Sequence, residues 1–383
     1  MNRVCSIFAQ LLRLVPRAEF EQAVQSHGAE KHAKGFRCWT QLISMLFCQL
    51  GQAKSLREIV GGLASLEGKL KHLGVNQAPT RSTLAYANEH RGWELYQTVF
   101  GQLLQKCQAE VRGVKKFRFK NKLVSLDATS IDLCAKVFDW AKFKRTKGAV
   151  KIHLLLDHDG YLPSFAVLTD GKVADIAVAR KLAFPAGTIL VMDRSYIDYA
   201  WLSRLGAQGV YFVTRMKADM KYKVVRKRPA PRRGAIRRDE EILIHSAKYG
   251  LELRLRRVVL WDDERQEKLV FLTNHMDLAA STIAAIYKDR WQIEIFFKAL
   301  KQLLRVKTFV GTSANALKTQ VWTALIAILI LKYLQWRAKF GWSLSNLVAL
   351  LRYQLFVYRD LFEWLDNPFD PPPAVSSQLA LEF

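Results

Sequence analysis

Acidic residues are scarce in this chain. Asp and Glu number 34 against 59 Lys and Arg, giving a formal charge of +25 and a pI near 9.9. Half of the residues are hydrophobic, which excludes a disordered polyelectrolyte. The surplus charge therefore points to a folded protein with a polyanionic partner, nucleic acid before an anionic membrane surface. Long apolar runs are missing too. The most apolar stretch, Val321–Leu331, is bounded by Gln320 and Lys332 and is shorter than the roughly 20 residues a spanning helix needs. It reads as a buried core helix, so no membrane partner is expected. The N-terminal stretch has no small-residue cleavage site, and its apolar positions follow an amphipathic helix rather than a signal peptide. The five cysteines, Cys5, Cys38, Cys48, Cys107 and Cys134, form no CxxC and no metal-ligand spacing, which fits reduced thiols in the cytoplasm. Internal repeats and a Gly-rich phosphate loop are lacking as well.

Residues up to about 115 carry helical periodicity throughout. Ser55 and Glu58 form a capping box, with Gly61-Gly62 expected to end that helix early, and Thr80 or Ser82 caps a helix that opens at Arg81. Such a unit suits either a helix-turn-helix DNA reader or a plain bundle. From Lys122 the pattern changes. Leu123–Leu133 reads as a strand, Ala149–Asp170 as two strands joined at the turn Asp157–Gly160, Val173–Phe184 as a helix, and Thr188–Met192 as a short apolar strand. A helix and another strand follow. This order predicts a mixed sheet flanked by helices. The segment Arg215–Arg238 is strongly basic, and the alternating stretches after it predict a β-rich insertion at about 208–275. The expected domains are 1–115, all helical and DNA-binding; 116–345, α/β and catalytic; and 346–383, a helix and a Pro-containing tail.

Two acids follow apolar strands, Asp127 and Asp193, and functional groups of open α/β sheets gather at such strand ends. A third, Glu294, lies on a polar stripe. Read as one helix, Tyr287–Lys301 places Tyr287, Arg290, Glu294, Lys298 and Lys301 on one face, opposite Ile293, Phe296, Phe297 and Leu300. Three carboxylates suit Mg²⁺, and two such ions about 3.5–4 Å apart can activate a nucleophile and stabilise the leaving oxygen at one phosphodiester. Asp132 lies an odd number of residues from Asp127 and faces away along a continuous strand. Turn chemistry accounts for Asp157, His158 and Asp159, and His153 reads as a strand residue with a hydrogen-bond partner. The basic run, including Arg226, Lys227, Arg228, Arg232 and Arg233, reads as a DNA-backbone surface because few acids balance it.

The spacing Tyr-x2-Arg-x3-Glu-x6-Lys, met by Tyr287, Arg290, Glu294 and Lys301, resembles the signature of one branch of bacterial insertion-sequence DDE transposases, insertion-sequence family four. LDATSIDL and VMDRSYID resemble that branch's two Asp strands, and the helical start resembles a domain common among its members. Ser195 stands where many relatives carry glycine. The resemblance implies a ribonuclease-H-like fold in which Asp127, Asp193 and Glu294 hold two Mg²⁺ or Mn²⁺ ions. It implies DNA contacts from Arg290, Lys301 and Tyr287, with Lys298 on the same stripe, and base stacking by an aromatic residue of the insertion, for which Trp261 is the nearest candidate. The implied activity is cleavage at the element's terminal inverted repeats and joining to target DNA, by a homodimer on paired ends in the bacterial cytoplasm, associated with the nucleoid. A decayed, DNA-binding repressor and a ribonuclease are the competing classes.

Overall fold

The computed structural model describes residues 5–31, 33, 35–66, 68–110, 116–134, 138, 140, 142–144, 147–229, 234–304 and 309–370. Six helices come first: α1 (Ile7–Leu12), α2 (Arg17–Ser26), α3 (Cys38–Leu50), α4 (Leu56–Ala64), α5 (Arg81–His90) and α6 (Glu94–Glu110). Strands β1 (Leu123–Cys134), β2 (Lys142–Lys144), β3 (Lys147–Asp157) and β4 (Pro163–Asp170) follow. The chain then alternates through α7 (Asp175–Ala179), β5 (Ile189–Met192), α8 (Tyr199–Ala207) and β6 (Tyr211–Arg215). Four more strands come next: β7 (Lys223–Lys227), β8 (Ile236–Ser246), β9 (Leu251–Asp262) and β10 (Glu267–Thr273). The last helices are α9 (Ala280–Asp289), α10 (Trp291–Leu304), α11 (Ala314–Arg337), α12 (Leu344–Gln354) and α13 (Leu361–Asp366). Two compact units result, one of residues 1–107 with 303–383 and one of residues 108–302.

The helical unit is built on α11. Ser313 caps it by accepting from the Ala316 N–H at 3.1 Å, and every side chain from Thr319 to Leu334 is buried. A helix apolar on all sides is either a core helix or a membrane span. Its length and mean hydropathy of 1.5 would permit crossing, but 83% of its most apolar window is buried, so it is the core helix its flanking polar residues predict. Trp93 and Trp322 stack within that core, 6.3 Å apart and 7° from parallel. Ser55 caps α4 through the Glu58 N–H as expected, whereas the Glu58 carboxylate reaches the Lys54 N–H. The helix does not end at Gly61-Gly62 but runs on to Ala64, because Gly62 leaves the space that the Phe47 ring of α3 fills.

The second unit holds one ten-stranded sheet in the order β2-β3-β1-β5-β6-β10-β9-β8-β7, with β4 paired to β3. β1, β3 and β4 form an antiparallel meander, and β5 and β6 continue it in parallel to β1. This is the ribonuclease-H-like arrangement, flanked by helices. The β-rich insertion does not stand apart: β10 pairs antiparallel with β6 and carries β9, β8 and β7 outward on the same sheet. Alternation sorts the strands onto two faces. Leu126, Leu190, Met192 and Phe212 pack with Trp201 and Leu205 of α8, while Leu123, Ile189, Val191, Val213 and Phe271 pack with Ile283 and Ile286 of α9.

Two further expected helices differ. The helix read over Val173–Phe184 is reduced to α7, which closes with i→i−3 bonds from the Lys181 and Leu182 N–H groups, and Leu182 and Phe184 then join Ile176 against the α8-side core. The single helix read over Tyr287–Lys301 is broken at Arg290. The Arg290 N–H bonds to the Tyr287 carbonyl and the Ile293 N–H to the Arg290 carbonyl, an i→i−3 pattern that tightens the chain for one turn. Tyr287 thus lies on α9, and Glu294, Lys298 and Lys301 lie on α10.

Candidate active site

Strand register places the first two acids. Leu126 of β1 is the partner of Met192 of β5, and the chains run parallel, so Asp127 and Asp193 are the next residues out on adjoining strands. Adjoining strands lie about 4.8 Å apart. Both positions alternate onto the α9 side, two residues beyond Ser125 and Val191. Asp193 caps the turn Arg194–Tyr196, with its Oδ1 accepting from the Ser195 N–H at 2.5 Å. The backbone at Ser195 stays out of the positive-φ region, so this turn makes no demand for glycine there.

The break between α9 and α10 supplies the third acid and a guanidinium. Arg290 Nη1 donates to Asp127 Oδ2 at 3.1 Å, and its Nη2 donates to Glu294 Oε1. The Arg290 side chain is 14% exposed and lies 5.6 Å over the Tyr287 ring, which itself packs against Phe271 at 5.1 Å. Burial pushes the Asp127 carboxyl up to about 6. The Ala128 N–H and the Arg290 charge pull it down, and the Asp193 and Glu294 charges push it further up. Burial alone would lower Arg290, but Tyr287, Glu294 and Asp127 raise it above its ordinary value. Beside Asp127 and Glu294 opens a cleft of about 530 Å³, lined also by Thr129, Phe297, Lys298, Lys301 and Gln302.

Asp127, Glu294, Arg290, Lys298 and Lys301 are thus brought together, with Asp193 adjoining through β5 and Tyr287 beneath Arg290. The donors are hard carboxylate oxygens of the kind Mg²⁺ takes, and the half-buried Asp127 carboxylate is one a cation would relieve. Among the described residues, no group of three or more Asp, Glu, His or Cys side chains is arranged to enclose a metal ion. Between Asp127 and Glu294 the Arg290 guanidinium takes the bridging position.

The other sequence candidates lie in the insertion. Arg226 and Lys227 are exposed on β7, the sheet's edge strand. Arg228 is committed internally, donating to Glu241 at 3.3 Å and to the Met276 carbonyl at 2.8 Å. Arg232 and Arg233 lie outside the described residues. Trp261 is half-buried near the end of β9, and its neighbour Leu260 packs on the α9 side, so its indole alternates onto the face opposite Asp127 and Asp193. Sequence reading passed over three acids of the insertion, which meet Arg228 of the basic run and, chiefly, the arginines of β9. Asp239, Glu240 and Glu241 of β8 are buried and pair with Arg256, Arg257 and Arg254. His153 bonds Thr169 Oγ1 at 2.8 Å, as expected of a strand histidine. Asp157 closes its turn by accepting from the Asp159 N–H at 2.9 Å. His158 is more than a turn residue: it is buried between Ser125 and Asp289. The signal for Asp289 was available, since an acid in a helix's last turn opposes the macrodipole and calls for cationic partners.

Comparison with known proteins places these features in a family. Residues 118–330, more than half of the chain, match the model described as "Transposase DDE domain", and residues 4–76 match a domain of unknown function. The chain is 30% identical over 306 residues to "Putative transposase y4zB" of Sinorhizobium fredii, covering 78% of this chain and 82% of that one. It is 28% identical over 255 residues to "Probable transposase for insertion sequence element IS5377" of Geobacillus stearothermophilus, covering 66% and 67%. It is 22% identical over 282 residues to "Transposase for insertion sequence element IS231D" of Bacillus thuringiensis, covering 58% of each. A cryo-EM structure of the piggyBac transposase synaptic complex with hairpin DNA aligns over 93% of this chain and 80% of that one, at 9% identity and a TM-score of 0.44. Enzymes of the family cleave and transfer DNA strands with a divalent cation, generally Mg²⁺. With its Asp strands, Tyr-Arg-Glu-Lys spacing and ribonuclease-H-like sheet, this chain belongs to the insertion-sequence DDE transposase family.

Proposed function

We propose that Asp127, Asp193 and Glu294 are the carboxylates of the transposase's catalytic centre, and that Arg290, Lys298 and Lys301 engage the DNA backbone beside them. The observation that carries this reading is the Arg290 junction. One guanidinium spans an acid of β1 and an acid of α10, while the parallel partner strand delivers Asp193 to the adjoining position. Two Mg²⁺ ions, with Mn²⁺ able to substitute, would be held by these three residues and would supply nucleophile activation and leaving-group stabilisation. Lys298 and Lys301 line the same cleft and neutralise phosphates placed there. Arg290, held over Tyr287, presents its charge to the acids when the site is empty and to a phosphate when DNA fills it. In cleavage a water oxygen joins phosphorus and a 3′-hydroxyl leaves; in strand transfer that 3′-oxygen joins a phosphorus of target DNA and the target strand's own 3′-hydroxyl leaves.

The substrate on this reading is duplex DNA carrying the element's terminal inverted repeats. Each chain offers one such carboxylate set, so two ends call for two copies, a homodimer on paired ends working on the nucleoid in the cytoplasm. The decayed-repressor alternative loses its motive, because Ser195 adopts a conformation open to any residue. The test is Mg²⁺-dependent nicking of a duplex bearing the inverted repeats that border the gene. Asp127→Asn, Asp193→Asn and Glu294→Gln are each expected to abolish nicking and retain end binding, and a variant that still nicks removes its residue from the centre.

A further inference from the structure

A second set of contacts joins β1 to the α9–α10 break, two residues along the strand from the first. Ser125 Oγ lies 2.7 Å from His158 Nε2, and His158 Nδ1 lies 2.6 Å from Asp289 Oδ2. The Asp289 carboxylate also accepts from Lys116 Nζ and from Tyr161 Oη at 3.1 and 3.2 Å. All three members are buried: Ser125 is 0% exposed, His158 3% and Asp289 4%. Burial by itself would raise the Asp289 carboxyl, yet His158 and Lys116 hold it below its ordinary value, so it is an ionised acceptor. That fixes the imidazole's orientation, with Nδ1–H donating to Asp289 and Nε2 facing the serine hydroxyl.

Serine, histidine and aspartate in this order are the groups of a hydrolase triad. That use is excluded here, since a serine with no exposed surface cannot meet a substrate. The geometry has a different consequence. Ser125 precedes Asp127 by two residues on the same face of β1, and Asp289 immediately precedes Arg290. The strand is thus tied to the break by two rungs, Ser125–His158–Asp289 and Asp127–Arg290–Glu294. The His158 N–H also bonds the Leu123 carbonyl, so the imidazole is carried by the sheet itself.

We propose that His158 and Asp289 are positioning residues of the transposase: their buried rung sets the α9–α10 break against β1 and so fixes where Arg290 and Glu294 meet Asp127. The inference rests on the assignment of Arg290 and Glu294 to the catalytic centre. Without the rung, the Asp127–Arg290 contact is left as the side-chain tie from β1 to the break, and it is the one that DNA or a cation must be free to replace.

The test is a double-mutant cycle read as single-turnover Mg²⁺-dependent nicking of pre-bound inverted-repeat duplex, with DNA affinity and thermal melting measured on each protein. Asp289→Asn and His158→Gln are expected to slow nicking about 10- to 100-fold, the range for residues that orient a centre's inner groups, with DNA affinity unchanged. In an Arg290→Ala background the same substitutions should cost markedly less, because one of the two groups they position is gone. A role confined to stability would instead multiply the two losses. Wild-type nicking by Asp289→Asn and His158→Gln, or equal losses in both backgrounds, overturns the inference. Wild-type nicking by Arg290→Ala alone brings down the centre's assignment instead, and this inference with it. Should Asp289→Asn fail to fold, Ser125→Ala, which deletes one buried hydroxyl, enters the cycle in its place.

Discussion

On the proposed assignment, Asp127 serves function at the expense of stability. Its carboxyl is pushed up to about 6 mainly by burial, while an unfolded aspartate titrates near 3.9. A group whose folded value is raised binds its proton more tightly in the native state. Its favourable contribution is complete below the unfolded value and is lost as pH rises through the folded one. Above about pH 6 the native protein therefore carries an ionised, poorly solvated carboxylate that costs at most about 3 kcal/mol. Asp127→Asn removes that charge with little change of shape. In metal-free buffer at pH 8 it should melt higher by several degrees, and the advantage should shrink as pH falls from 6 to 4. Equal melting of the two proteins at pH 8 would mean that the carboxylate is better satisfied than its surroundings indicate. Added Mg²⁺ should narrow the gap from the other side, by stabilising the wild-type protein alone. The position of Asp193 was legible in the sequence because an acid that ends an apolar strand is a local pattern; Asp127 was found by the apolar run before it, but its strand does not end there and continues to Cys134. The partnership of Asp289 with His158 was not, because it joins positions 131 residues apart and exists only once the sheet has formed.

At the scale of elements, periodicity announced the helices and strands but not where a helix is interrupted. The sequence from Tyr287 to Lys301 keeps helical spacing through Arg290, and nothing local marks the tightened turn. What sets it is the capture of Asp289 by Lys116, His158 and Tyr161, all distant in sequence. The opposite misreading occurs at Gly61-Gly62, where a local helix-breaking signal is overridden by packing. The two glycines then behave differently. A Cβ on Gly61 meets nothing within 4 Å, so Gly61→Ala should stabilise the protein by about 0.5–1 kcal/mol through helix propensity. A Cβ on Gly62 comes within 2.8 Å of the Phe47 ring, so Gly62→Ala should destabilise it by about 1–3 kcal/mol through overpacking. Chemical denaturation of the pair decides the matter, and a Gly62→Ala protein as stable as Gly61→Ala would show that the Phe47 ring yields freely.

For the whole molecule, net charge foretells a polyanionic partner but says little about which cations meet it. The formal +25 counts every Arg alike. In the folded insertion, however, Arg254, Arg256 and Arg257 face Glu241, Asp239 and Glu240 across the β8–β9 ladder, and Arg228 joins Glu241 and the Met276 carbonyl. Those guanidiniums hold the sheet extension together and have little charge left for a phosphate. Lys227, exposed on the edge strand, pairs with no acid among the described residues and is free to displace a counterion. Adjacent residues of the same sign should therefore fail in opposite ways. Lys227→Ala should leave melting unchanged and reduce the slope of log affinity against log salt by about 0.9, one phosphate's worth for duplex DNA. Arg228→Ala should leave that slope where it was and lower stability by about 1–3 kcal/mol, because it strands a buried carboxylate oxygen and a carbonyl. If Arg228→Ala instead flattens the salt dependence in a protein that melts normally, the internal pairing does not persist on DNA, and the insertion offers its whole arginine ladder to the duplex.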